Sequence, residues 1–551
     1  MNLKSVLGSA LPALSTAARC PPTGAVLPSP DLPDNYEPAG LRVNIDNLLE
    51  HASPTWNVST TSFSVELTSI NASFFEYHHT AATRSEHGVR EVDTNTVYRI
   101  ASITKVFNVL ALLLNAPLAL DTSITQYVPE LEGREEYVEI TLRMLASQVA
   151  GIPREVSAFD WYSERGLQLQ ELGFPAPDPQ DVPTCDIVPD GACSRSQLFD
   201  DLLADQFSWL PGQRAGYSNP AYTLLGYAIE NITGKTFEDI LQDDILGPLN
   251  LTSTSLSPPD PSEAIIPVGA GEVLIGFDIG TYNATAGMFS TPRDITAFLR
   301  SILRNDLLSP IRTRQWLKPT VYAGGLTADI GMPWEIYRLS HLTPDGRPIE
   351  VYTKSGGIPG YSSMALLLPE YDMAASILVS FEAGSDPSVD LTDIVLASLI
   401  PSLDSLSREQ AEKAYAGLYL DAGHGTNGAN TTDATLSLVI DDGPGLKITE
   451  WTNYGKSILD VLAGDKNTTV EGLDARLYPI GDKNRWRMVV EKLVSENEDS
   501  SLPGGMCMAW FRVDQMRYAS LSFEEFHFQM DGGVVMGVEN RGMRQRLTKR
   551  T

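Results

Sequence analysis

The stretch that decides the reading is Ser102-Ile103-Thr104-Lys105, followed without a break by the apolar run VFNVLALLL from Val106 to Leu114. A helix beginning here puts Ser102 and Lys105 three residues apart on one face, with the serine at the end where free backbone N–H groups point outward. A serine hydroxyl is too weak an acid to attack a carbonyl unaided, and a lysine can take its proton once burial and the positive helix end have lowered its pKa. Three residues before every other lysine in the chain stands something other than serine. Alone, the pair also fits an N-capping serine beside a solvated lysine. Its companions must decide.

Two companions lie downstream. Tyr217-Ser218-Asn219 follows Pro211 and Gly212 in a turn-rich stretch, and a helical pattern resumes at Tyr222; a phenol at such a turn can project into a cleft. Lys354-Ser355-Gly356-Gly357 follows the strand-like Ile349 to Tyr352. There a cation and small residues let a substrate lie against a strand with its N–H groups exposed.

Serine and lysine, then tyrosine and asparagine, then Lys-Ser-Gly, resemble in order the S-x-x-K, Y-x-N and K-T-G motifs of the serine β-lactamase and penicillin-binding protein superfamily. The chain looks like a class C type member, nearer to the esterases and D-aminopeptidases of that branch. The blocks YRIASITKVF (98–107), PGQRAGYSNPAYTLLG (211–226), AGMFSTPRDITAF (286–298) and GGIPGYSSMALL (356–367) extend the resemblance over roughly residues 90–385. Secreted fungal β-lactamase-like proteins share this look, including the N-terminal Cys-Pro-Pro and a C-terminal β domain.

The resemblance implies an α/β (α+β) fold: an antiparallel sheet flanked by helices, plus a helical subdomain, with the site between them and Lys354 to Gly357 on the edge strand. It also implies roles. Ser102 is the acylated nucleophile, Lys105 holds or takes its proton, and Tyr217 relays the proton and activates the deacylating water. Asn219 bonds the substrate or Lys105, and Lys354 stabilises the tyrosine anion or a substrate carboxylate. Ser355 and Gly356 belong to the substrate-binding strand, and the N–H groups of Ser102 and Gly357 hold the oxyanion. No metal or cofactor is implied. The chain departs from the family pattern in three places. Lys-Ser-Gly has Ser where Thr is usual, which keeps the hydroxyl and is expected to be harmless. The H-T-S-G-x-P block reads Gln148-Val149-Ala150-Gly151-Ile152-Pro153, a loss of its polar residues, and the helix after Lys105 is short, running quickly to Asn115 and Pro117, so that inherited substrate preference is open.

The surrounding chain fits a secreted protein of several units. Its 551 residues divide into a signal-like segment (1–18), an extended lead-in (19–40), a mixed catalytic region (41–401) and a β-rich region (402–551). Val43 to His51 reads as helix and Thr61 to Glu66 as strand, and a Pro- and Asp-rich loop spans Gly166 to Ser194 as a surface insertion or lid. In the last region a short helix near Arg408 to Tyr415 precedes strands at Thr435–Ile440, Arg485–Val490 and Cys507–Val513. A net charge of -30 excludes nucleic-acid binding through a bulk basic field. After the N-terminus no apolar run is long enough to span a membrane. Sequons begin at Asn57, Asn71, Asn231, Asn250, Asn283, Asn430 and Asn467, which favours export. Of the four cysteines, Cys185 and Cys193 bracket a loop that a disulfide can close and Cys20 and Cys507 remain, although all three pairings are open.

The expected activity is that of a serine hydrolase acting on an ester, amide or lactam of a small molecule or peptide. Alternatives are an acyltransferase of a biosynthetic pathway and an idle secreted binding protein on the same scaffold. Acyl group, leaving group and oligomeric state stay open.

Overall fold

The computed structural model describes residues 22–51, 56–186, 192–382, 384, 386–421, 433–493 and 509–550. The expected signal segment at 1–18, Cys20, Cys507 and the sequon at Asn430 lie outside them. The main sheet comprises β1 (Ser62–Ser69), β2 (Ser73–His79), β3 (Val321–Tyr322), β4 (Ala328–Ile330), β5 (Glu335–Leu339), β6 (Ile349–Ile358), β7 (Tyr361–Leu368) and β8 (Met373–Ser380). It is antiparallel throughout, in the order β2-β1-β8-β7-β6-β5-β4-β3. The helices used below are α1 (Leu41–Glu50), α2 (Thr104–Asn115), α3 (Asn219–Thr233), α4 (Pro292–Arg304) and α5 (Ser388–Tyr415).

Strand alternation sorts the sheet into two faces. On β1, Phe63, Val65 and Leu67 join Leu41 and Ile45 of α1 and Leu391, Val395 and Leu399 of α5 in one apolar cluster. Ser64 and Thr68 point the other way and bond Tyr98 OH at 3.0 Å and Arg300 Nε of α4 at 2.8 Å. This second face carries the larger core, which includes α2, α3 and α4. Every residue of α2 from Thr104 to Leu113 is buried, as its nearly unbroken apolar sequence requires. Asn108, its one polar interior residue past Lys105, donates to Tyr222 O (3.1 Å) and Ala284 O (2.9 Å), fastening α2 to α3.

Toward the C-terminus, β9 (Gly417–Asp421), β10 (Thr435–Val439), β11 (Leu446–Asn453), β12 (Leu473–Ile480), β13 (Asp482–Lys492), β14 (Glu525–Asp531), β15 (Val534–Asn540) and β16 (Gln545–Lys549) run in the order β10-β9-β16-β15-β14-β13-β12-β11. The pairing of β10 with β11 closes this sheet into an antiparallel barrel. Its core holds Tyr419, Trp451, Trp486, Phe526 and Phe528. Tyr415, the last residue of α5, enters that core with ring centroids 4.9 Å from Trp486 and 5.0 Å from Phe528. Because α5 packs on the sheet face opposite α2, the barrel is rooted on the side away from Ser102.

Four expectations change. The short helix at Arg408–Tyr415 is the end of a 28-residue helix, α5, which runs through Pro401. Trp510–Arg512, inside the expected last strand, is a 3₁₀ turn. The Gly166–Ser194 loop begins inside a helix, Trp161–Glu171, capped by Asp160 accepting from Tyr162 N and Ser163 N; its later part carries the Cys185–Cys193 disulfide, with a Cα separation of 5.8 Å. Finally, β6 is not an edge strand, since β5, β4 and β3 lie outside it. The β5 pairing nevertheless ends at Glu335 opposite Thr353, so the stretch from Lys354 onward extends past it.

Candidate active site

Ser102 sits in a 3₁₀ turn, Ala101–Ile103, that leads directly into α2. Ala101 takes a left-handed φ of 43°, a conformation that costs a residue with a Cβ roughly 1–2 kcal/mol. Neighbours hold the turn in place: Ser363 Oγ of β7 donates to Ile100 O at 2.8 Å, Ile100 N donates to Met288 O at 3.1 Å, and Met288 N donates to Thr104 Oγ1 at 3.2 Å. Strand β6 presses against it. A Cβ on Gly356 would collide with Ser363 Oγ and Ile100 O and stand 3.1 Å from Ser102 N, whereas one on Gly357 would meet nothing within 4 Å. Gly356 therefore permits the close approach, and Gly357 borders open space.

Lys105 is 0% exposed. Its Nζ donates to Ser102 Oγ at 3.0 Å, Asn219 Oδ1 at 2.7 Å and Thr285 O at 3.1 Å, which uses all three of its donors. Tyr217 OH lies 2.8 Å from Ser102 Oγ on the other side. The Nζ atoms of Lys105 and Lys354 stand 5.1 Å and 5.2 Å from the Tyr217 ring centroid. Lys354 Nζ bonds Glu335 Oε1 and donates to Ser355 O at 2.8 Å. The structure thus gathers Ser102, Lys105, Tyr217, Asn219 and Lys354 into one cluster, with Ser355, Gly356 and Gly357 along its wall.

Charge is arranged unevenly around the phenol. Burial pushes the Lys105 ammonium down from its usual value, and the Lys354 charge adds to this against the opposing pull of Tyr217. Burial alone would raise the Tyr217 phenol, but the two lysines more than offset it and leave it at about 8. Burial lowers Lys354 too, and there Tyr217 and Glu335 outweigh it, so its pKa ends above the usual value. Such displaced values at a cleft mark groups suited to proton transfer.

Three further residues belong to this site, and sequence reasoning passed over them. Gln148 is buried with a left-handed φ of 62°; its O accepts from Gly216 N and its Oε1 from Ser218 N, both at 2.8 Å, so it clamps the Tyr217 turn from either side. The altered Gln148–Pro153 block therefore keeps a working polar residue. Glu155 accepts from Asn219 Nδ2, fixing which end of that amide faces Lys105, and burial raises its carboxyl to about 7. Glu335 accepts from Ser355 N at 3.0 Å and Ser355 Oγ at 3.1 Å as well as from Lys354. A lone acid among 70 Asp and Glu residues gives no signal until the fold brings it to its partners. Gln148 alone had a hint, as the first residue of the altered Gln148–Pro153 block.

Among the described residues no helix is long and apolar enough to cross a membrane.

Comparison with known proteins identifies the family and the fold. Residues 74–399 match a family model described as Beta-lactamase, and residues 407–551 match one described as Beta-lactamase-like-like, C-terminal domain. The chain is similar to a "Beta-lactamase-like protein" of Arthroderma benhamiae, 30% identical over 94% of each chain. It is also similar to a "Probable hydrolase" of Cochliobolus lunatus, 27% identical over 97% of this chain and 92% of the relative. Among solved structures, D-amino acid amidase from Ochrobactrum anthropi SV3 shares the fold at 20% identity and a TM-score of 0.50, covering 65% of this chain and 100% of its own.

Proposed function

We propose, because the chain belongs to the beta-lactamase family, that it is a serine hydrolase working through an acyl-enzyme on Ser102. The observation that carries this reading is the placement of one hydroxyl, Ser102 Oγ, between Lys105 Nζ at 3.0 Å and Tyr217 OH at 2.8 Å. Ser102 Oγ attacks the carbonyl carbon of an ester, amide or lactam, and its proton passes to the Lys105–Tyr217 pair. The tetrahedral oxyanion is held by the N–H groups of Ser102 and Gly357, which bear on charge that develops in the transition state. Tyr217 then delivers the proton to the leaving group as its bond to carbon breaks. Water enters, gives its proton back to Tyr217 and releases the acid, and Ser102 recovers its hydrogen. Asn219, steadied by Glu155, keeps Lys105 aimed at the serine. The name and fold of the similar proteins, a probable hydrolase and a D-amino acid amidase, support a hydrolase acting on a small substrate.

The catalytic unit in this reading is residues 41–401, and residues 402–551, which begin inside α5, form the C-terminal β-rich unit. Export from the cell is supported by the Cys185–Cys193 disulfide and by sequon asparagines that stand exposed at Asn57, Asn71, Asn231, Asn250 and Asn467.

Rapid mixing with an activated p-nitrophenyl ester is the test. The reading expects a burst of about one p-nitrophenol per protein followed by slower turnover, both abolished in Ser102→Ala. Turnover that survives unchanged in that variant would overturn it.

A further inference from the structure

A lysine, a serine hydroxyl and a backbone N–H brought together beside a reactive serine make a receptor for a carboxylate. Here every one of those donors is already engaged by the protein's own carboxylate. Glu335 Oε1 takes Lys354 Nζ and Ser355 Oγ, and Glu335 Oε2 takes Ser355 N at 3.0 Å. Glu335 can do this because it stands at the last paired position of β5, opposite Thr353, and reaches across the strand end to the residues beyond. Its side chain is 19% exposed and that of Lys354 only 1%, so the carboxylate, not the ammonium, is what the cleft presents. A third cation beside the phenol, after Lys105 and Lys354, also has a carboxylate near it: Arg154 Cζ lies 4.8 Å from the Tyr217 ring centroid, with Glu155 Oε1 3.9 Å from its Nε.

We infer that Glu335 is a specificity-determining residue that fills the carboxylate site beside Ser102, so that the substrates are esters or amides with no carboxylate on the leaving group. The inference rests on the serine-hydrolase reading and narrows its substrate. An anionic leaving group must either displace Glu335 from its three bonds or lie against its charge, and in a partly dry cleft both are costly. A neutral or cationic leaving group meets neither obstacle, and a cationic one gains from Glu335. Lys354 meanwhile keeps its position beside Tyr217, serving the phenol and not the substrate.

Matched aryl phosphonate diesters, uncharged at phosphorus, with an anionic 3-carboxyphenoxy or a neutral 3-carbamoylphenoxy leaving group test this on the full-length protein. Ser102 Oγ forms the bond to phosphorus, the aryloxide leaves with the serine proton, and intact mass follows the adduct. Each rate is normalised to that reagent's hydrolysis by hydroxide. The wild type should be labelled at least about tenfold faster by the carbamoyl reagent, and Glu335→Gln should shrink that ratio at least about fivefold while Glu335→Asp retains it. A smaller wild-type ratio, or one that Glu335→Gln leaves unchanged, overturns the inference with the nucleophile intact; if the variants do not fold, the wild-type ratio decides. Absence of labelling by either reagent overturns the inference together with the hydrolase reading.

Discussion

At Tyr217 two opposing effects meet in one side chain. Burial disfavours a phenolate, while the lysine charges at positions 105 and 354 favour it, and the balance leaves the phenol at about 8 instead of 10. If the phenolate is the working base, kcat/KM for a neutral ester falls about tenfold for each pH unit below that value and levels off above it. The sign of a second change follows from the same balance. Removing one cation in Lys354→Met makes the phenolate harder to form, so the midpoint should move up by about one unit. A midpoint that stays put, or moves down, would show that the limb belongs to another group. Glu155, whose carboxyl burial raises to about 7, is the obvious competitor, and Glu155→Gln separates the two because it removes that titration and leaves an amide able to face Asn219.

The elements that carry these residues act through how closely they approach. Strand β6 comes near the Ser102 turn only because Gly356 has no side chain, and a Cβ there would strike Ser363 Oγ and Ile100 O. Gly356→Ala should therefore lower kcat/KM about 100-fold and cost about 1–3 kcal/mol in stability, whereas Gly357→Ala, facing open space, should leave the melting temperature nearly unchanged. Equal thermal stability of the two variants would contradict this picture of the strand. The short motifs were legible from sequence for a related reason. Ser102, Tyr217 and Lys354 sit at turns or on a strand and Lys105 in the first turn of α2, each in a stretch with a local signature, and their residue types announce their chemistry. What escaped is tertiary. Glu335 gains meaning only across the β5–β6 pairing, and Gln148 only where Gly216 and Ser218 fold back on it. Helix α5 was underestimated because Pro401 interrupts its pattern, although burial of Leu399, Ile400 and Leu403 around the proline holds it continuous. The edge position expected for Lys354 came with the resemblance, and it failed because the five-residue β5 pairs with β6 and carries β4 and β3 beyond it.

Across the whole molecule, a buried ion network ties the sheet to the barrel. Arg347, on the segment entering β6, pairs with Asp345 at 2.8 Å and Asp404 of α5 at 3.1 Å and also bonds Glu370. Arg408 of α5 bonds Asp404 at 2.7 Å and Asp345 at 3.1 Å and donates to Asp441 O and Gly443 O in the loop between β10 and β11. Shared among several acids, each guanidinium is well solvated by the protein itself, the condition under which buried charge is tolerated. The C-terminal barrel is thus anchored behind the sheet, and the cleft in front is left to Ser102 and its neighbours. Everything proposed for that cleft depends on one covalent event. The direct measurement is acid quenching during turnover of a p-nitrophenyl ester, followed by mass spectrometry of the intact chain and its peptides. The account predicts one added acyl group, located on the peptide that contains Ser102 and missing in Ser102→Ala; an acyl group on another residue, or one that persists in Ser102→Ala, would contradict it.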